Sequence, residues 1–133
     1  MTTASETALQ AKSIAPGLTC DNLAASIKFY EGLGFAVEDR WENNGELVGV
    51  MMRAGSARIG LGQDDWKKGR DRVKGVGMRI WLGTEQSIDE IAERAKASGV
   101  KLAKEPHDTE WGARAFEVID PDGFLLSVSN DKM

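Results

Sequence analysis

Several things are scarce in this 133-residue chain, and each scarcity narrows what it does. It has one cysteine, Cys20, so no intrachain disulfide forms and a reducing compartment is the simpler setting. Basic residues are outnumbered, 17 to 21, for a formal charge of −4. Nucleic-acid binding calls for a basic face against phosphates, and this balance argues against it. No apolar run approaches the roughly 20 residues that span a bilayer. Residues 1–12 lack the continuous apolar stretch of a signal peptide and read as a frayed tail. The expected setting is soluble and cytoplasmic, and neither a membrane nor nucleic acid is an expected partner. At this length a single domain is the simplest organisation.

What is present is a pattern written twice. A helix starting at Asp21 or Asn22 closes at Gly32-Leu33-Gly34-Phe35, and strands, a Gly55 turn and a last apolar strand over 57–61 follow. A second helix starts at Ser87 and closes at Ser98-Gly99-Val100, again followed by strands, a Gly123 turn and a strand over 124–129. The spacing is nearly constant: 65 residues from Gly34 to Gly99, 66 from Asp21 to Ser87, 68 from Gly55 to Gly123. A constant offset of this length means two copies of one supersecondary unit.

The local signals agree with that division. Leu23, Ile27 and Tyr30 form one apolar stripe behind an Asp or Asn cap, and glycine ends the helix in left-handed geometry. Ser87 and Glu90 make a capping box ahead of Ile88, Ile91, Ala92 and Ala95. Strands are predicted over 14–20, 35–41, 47–53 and 57–61, then over 76–82, 100–103, 111–119 and 124–129. Asp120-Pro121-Asp122-Gly123 suits a type I turn. The expected fold is α+β: two tandem β-α-β-β-β modules whose curved mixed sheets enclose a cleft. Module one covers 13–62, a polar link 63–74, and module two 75–130.

Asp21-Asn22-Leu23 with Ser26, Phe29, Tyr30 and Gly32-Leu33-Gly34-Phe35 forms one signature. Trp111-Gly112-Ala113-Arg114-Ala115-Phe116 with Asp120-Pro121-Asp122-Gly123-Phe124 forms another. Together, in a doubled chain, they resemble the vicinal oxygen chelate superfamily of glyoxalase I, bleomycin-resistance proteins and extradiol dioxygenases. The resemblance implies the paired-module fold and commonly a homodimer. It does not fix the chemistry, since enzymes and pure binders share this scaffold. The family's enzymes hold a divalent metal with four side chains, usually His, Gln or Glu. Those positions fall here on Ile14, Gly60, Met78 and Ser127. Ile and Gly offer no donor, a thioether is too soft, and a neutral hydroxyl anchors poorly. The expectation is a protein with no metal at these positions and no cofactor.

Other candidates are sparse. His107, Asp108 and Glu110 sit close together beside Pro106, with Glu117 beyond, and read as a solvated loop. Cys20 reads as a small buried filler. Four tryptophans stand against one tyrosine, and an indole suits planar ligands or cations. Trp81 and Arg79 share a strand face by alternation, and an arginine beside an indole favours the cleft for both. Met78 would then point the other way, so its place in the metal register conflicts with that reading. Trp111 and His107 are expected at the cleft rim. Trp66, alone in the charged link, is expected to be a lid, a subunit contact or a simple anchor. Lys67 to Lys74 reads as a solvated face.

Two functions fit. One is a metal-free binder resembling bleomycin-resistance proteins, sequestering a planar or cationic small molecule between Trp81, Trp111, Arg79, His107 and Trp66. The other is a lyase, isomerase or dioxygenase with a non-standard or absent metal site, using His107 with Glu110 or Glu117 for proton transfer.

Overall fold

The structure is a computed structural model, in which residues 8–131 are described. The expected tail therefore falls mostly on residues outside those described. Two modules follow one another. The first comprises β1 (Gly17–Cys20), α1 (Leu23–Leu33), β2 (Ala36–Asn43), β3 (Glu46–Ala54) and β4 (Ala57–Gln63). The second comprises β5 (Arg79–Gly83), α2 (Ile88–Ala97), β6 (Leu102–Asp108), β7 (Arg114–Ile119) and β8 (Leu125–Ser129). Each module is a four-stranded mixed sheet, ordered β1-β4-β3-β2 and β5-β8-β7-β6. The first strand of each runs parallel to its last, and the remaining pairs are antiparallel. This is the α+β, two-module architecture predicted by the repeat, and neither sheet closes on itself.

The helices form where the caps place them. Asn22 accepts from Ala25 N at 3.1 Å, and Gly34, at φ 120°, ends α1 by donating to the Glu31 and Tyr30 carbonyls. Ser87 accepts from Glu90 N at 3.3 Å, and Gly99 follows α2 at φ 92°. Gly32 does not end α1. It lies inside the helix, where a Cβ would meet the Val100 side chain of the other module at 2.8 Å, so that position takes glycine.

Alternation then sorts each sheet into a core face and a bare one. Leu18, Cys20, Val50, Met52, Ile59 and Leu61 face the core from the first sheet, and Ile80, Phe116, Val118, Leu126 and Val128 from the second. Both sets, with Leu23, Tyr30, Ile88, Ala92 and Ala95 of the helices, form one continuous core. The helices thus lie between the two sheets, and the uncovered faces are turned outward, away from one another.

A polar lock holds the modules in register. Tyr30 Oη donates to Asp120 Oδ2 at 2.8 Å, with both groups buried. Asp122 accepts from Asp21 N at 2.9 Å and from the Ser26 hydroxyl at 3.3 Å. Asp120 Oδ1 accepts from the backbone of Asp122 and Phe124, which shapes its own turn. The two signatures therefore meet in space: the turn of module two seats on the start of the helix of module one. Burial pushes the Asp120 carboxyl up and the Tyr30 phenol well above its ordinary 10.0.

Several strand limits differ from expectation. Chain 14–16 precedes β1, and Ile14 is exposed. Chain 76–78 likewise precedes β5. The strand expected over 100–103 is β6, which runs through Pro106 to Asp108. It is an edge strand with irregular pairing around Lys104, so a residue with no N–H is tolerated there. Trp111 does not begin a strand, because Gly112, at φ 90°, keeps 109–113 in a turn.

Candidate functional site

Two bare sheet faces hold the candidate chemistry. On the second sheet, Trp81, Ser127 and Glu117 occupy one register level across β5, β8 and β7. Trp81 stays 45% exposed, and Trp111 meets it edge-on at 6.5 Å between ring centroids. The Trp111 indole N–H donates to Asp131 at 2.8 Å, which fixes that ring outside the strands. The Arg79 guanidinium lies 5.3 Å over the Trp81 ring and 3.6 Å from Glu117 Oε2. The Ser127 hydroxyl, between them, is buried and has no hydrogen-bond partner among the described residues. An orphaned polar atom at the centre of an otherwise accessible face is uncommon in folded proteins.

This settles the direction of the strand residues. Arg79 and Trp81 share the bare face, as expected, and Met78 lies before the strand rather than opposite them. His107, expected in a loop, sits on β6 opposite Ala115, with Nδ1 donating to the Glu105 carbonyl at 2.9 Å. Glu110 is exposed in the turn. Glu117 pairs with Arg79, and among the described residues His107 is hydrogen-bonded to neither Glu110 nor Glu117. His107 and the two carboxylates are thus not hydrogen-bonded to one another.

Trp66 belongs to another assembly. It has φ 64°, its N–H donates to Asp64 Oδ1 at 2.9 Å, and Arg70 and Lys74 lie over its ring at 4.7 and 5.3 Å. Asp64 also pairs with Arg72 at 2.9 Å and with Lys74 at 3.0 Å. The solvated-face reading of 67–74 fails at Lys74, whose ammonium is buried between Asp64 and Asp21. The backbone bond from Trp66 and the two cations hold the Asp64 carboxyl well below its ordinary 3.8. The strand arginines also take structural partners. Arg53 and Arg58 bind Glu38, and Arg114 joins Asp89 of α2 to Asp108.

The bare face of the first sheet carries Trp41, Met51, Thr19 and the glycines 17, 49, 60 and 62, under a cavity of about 460 Å³. Of these glycines the sequence marks only Gly60, as a family metal position without a donor, and nothing in it marks the four as one surface. A larger cavity, about 970 Å³, lies between the modules at the far end of α1, against Gly34, Gly55, Thr84 and Arg94. No indole lines it, and its apolar walls are the edges of the shared core.

The residues at the four family metal positions do not fit a divalent ion. Ile14 is 92% exposed ahead of β1, Gly60 has no side chain, Met78 offers a thioether, and Ser127 a neutral hydroxyl. Among the described residues no group of three or more His, Cys, Asp or Glu is placed to hold a metal. Cys20 is fully buried, and burial raises its thiol to about 11, which suits a core filler rather than a nucleophile.

No curated protein matches the sequence. Solved structures match along almost the whole chain. One is a bleomycin resistance determinant encoded on the transposon Tn5, at TM-score 0.71 and 17% identity, covering 92% of this chain and 100% of that one. Another is a bleomycin-binding protein complexed with bleomycin, at 0.67 and 18%, with 92% and 100% covered. A third is TioX from Micromonospora sp. ML1, at 0.68 and 16%, with 92% and 98% covered. At such identities these likenesses show the fold alone. The family pattern of the Glyoxalase/Bleomycin resistance protein/Dioxygenase superfamily matches residues 11–128, and the chain belongs to that superfamily.

Proposed function

We propose that this protein binds a planar small molecule, cationic or zwitterionic, and holds it without chemical change. The observation that carries the reading is the row Trp81–Ser127–Glu117, an accessible indole, an unpartnered hydroxyl and a carboxylate at one level of an open sheet face. Trp81 and Trp111 would stack on the ligand, Glu117 would take its positive charge, and Ser127 would take a polar group. Arg79 and His107 would serve at the rim. Among the described residues no observation favours the enzyme reading over this one, since His107 is hydrogen-bonded to neither Glu110 nor Glu117.

The cleft would form between two copies. Trp41 and Val48 are exposed on one sheet, and Trp81, Trp111 and Ile119 on the other. The two bare faces turn away from each other within a chain, so pairing the first sheet of one copy with the second of another would cover both. The bleomycin-binding relative was solved with its ligand, which supports small-molecule capture on this fold. The test is a fluorescence titration with proflavine, a tricyclic planar cation. Trp81→Ala should weaken binding about two- to tenfold, the loss of one stacked contact. Unchanged affinity would remove Trp81 from the site. Product formed at catalytic protein levels from any bound compound would replace the binder with an enzyme.

A further inference from the structure

The first sheet carries glycines that the fold does not require. Gly17 pairs with Gly60, and Gly62 lies beside both Thr19 and Gly49, so four glycines occupy adjoining positions on one bare face. Glycine in a strand interior costs about 0.5–1 kcal/mol relative to alanine and packs nothing. Gly49 is explained by packing, since a Cβ there would sit 3.1 Å from the Trp41 ring and from the Leu61 carbonyl.

The other three are not explained. None has a positive φ. A Cβ on Gly17 would meet nothing within 4 Å, one on Gly62 only the Val48 carbonyl at 4.0 Å, and one on Gly60 ordinary contacts at 3.7–3.8 Å. Side chains at all three would instead project into the cavity of about 460 Å³ over this face. That volume lies within the range of small-molecule pockets. Its walls are Trp41 and the Met51 thioether, and its floor presents backbone without charged side chains. Such a surface suits the flat face of an aromatic ring system and would be spoiled by a single methyl group.

We infer that Gly17, Gly60 and Gly62 form a floor kept bare for one planar ring of a bound small molecule, with Trp41 as its wall. This deepens the proposed function. The floor takes the ring face of the ligand, and the second sheet takes its charge and its polar group.

The experiment compares the full-length protein with Gly60→Ala, Gly62→Ala and Trp81→Ala in three measurements: proflavine affinity, melting temperature and mass by light scattering. The glycine variants should melt at or above the wild type and keep its mass, yet bind proflavine about tenfold more weakly. Unchanged affinity in both, with Trp81→Ala still weakened, overturns the floor and leaves the proposed function standing. A lowered melting point or a changed mass in both shows that the glycines serve packing or a second copy, which also overturns it. Failure of the wild type to bind proflavine saturably removes both readings.

Discussion

Replacing Tyr30 with phenylalanine tests the lock between the modules by removing one atom. The ring stays packed edge-on against Phe29 at 5.1 Å and Phe35 at 5.6 Å, so no cavity opens beyond the hydroxyl itself. What is lost is the 2.8 Å bond to Asp120, made between two buried groups. Asp120 Oδ1 keeps its two backbone donors, while Oδ2 is left buried without one. A bond to a charged group contributes about 1.5–3 kcal/mol, so the change should cost about 2 kcal/mol, or about 6–10 °C in melting temperature at this chain length. The pH dependence provides a second check. Burial holds the folded Asp120 pKa above its ordinary 3.8, and the Tyr30 hydroxyl opposes that rise by favouring the charged form. With the folded pKa raised, the stability from Asp120 is full below 3.8 and is lost as pH rises through the folded value. Removing the hydroxyl raises that value further, so the penalty should be full at about pH 7 and smaller near about pH 4. Denaturant melts at both pH values measure this. A variant within about 0.5 kcal/mol of wild type at neutral pH would refute the reasoning, because surface changes have that size.

The Asp64 carboxyl, held below 3.8 by the Trp66 N–H, Arg72 and Lys74, contributes stability above 3.8 that is lost as pH falls. Asp64→Asn should therefore melt lower at neutral pH and show a flatter acid limb in melting curves taken against pH. Trp81→Ala should leave the melting temperature nearly unchanged, because the ring is half exposed on a bare face; a drop of several degrees would mean that it packs as core. Light scattering should give the mass of two chains at micromolar concentration, and a monomer mass would remove the shared cleft. Elemental analysis after dialysis should find no stoichiometric Zn, Ni, Mn or Fe, given side chains at Ile14, Gly60, Met78 and Ser127 that do not suit such an ion.

The parts of the fold that depend on local chemistry were readable from the chain. Asn22 and Ser87 cap their helices, Gly34 and Gly99 take left-handed geometry, and the constant offset yields two β-α-β-β-β units. Alternation also placed Arg79 and Trp81 on one face. It could not say which face, because period two has no sign until something covers one side. Long-range pairing was equally hidden. Lys74 reads as a solvated charge in sequence, and only the fold brings Asp21, 53 positions earlier, against it. His107 looked like a loop residue because Pro106 breaks an ordinary strand, whereas an edge strand accommodates it. The glycine floor went unseen for a related reason. In sequence a strand glycine resembles a turn signal, and its lack of a steric role emerges only when its neighbours are known.

The duplication is imperfect, and the imperfection explains where the cavities lie. The Asp120–Gly123 turn carries two carboxylates that seat it on the start of α1. Its counterpart, Ala54-Gly55-Ser56, has no carboxylate, and the buried Ala95 stands 65 residues after Tyr30, where a second phenol would be needed. One end of the module boundary is therefore bolted, and the other keeps a gap of about 970 Å³ against Thr84 and Arg94. Its size follows from half of a lock being missing; its walls include Phe35 of the shared core but no indole, and among the described residues no unpartnered buried polar atom lines it. The cavity over the first bare face is smaller, yet the two bare faces hold Trp41, Trp81 and Trp111, the orphaned Ser127 hydroxyl and the three unexplained glycines. Chemistry that the fold does not use is the better guide to a ligand than empty space that the fold could not fill.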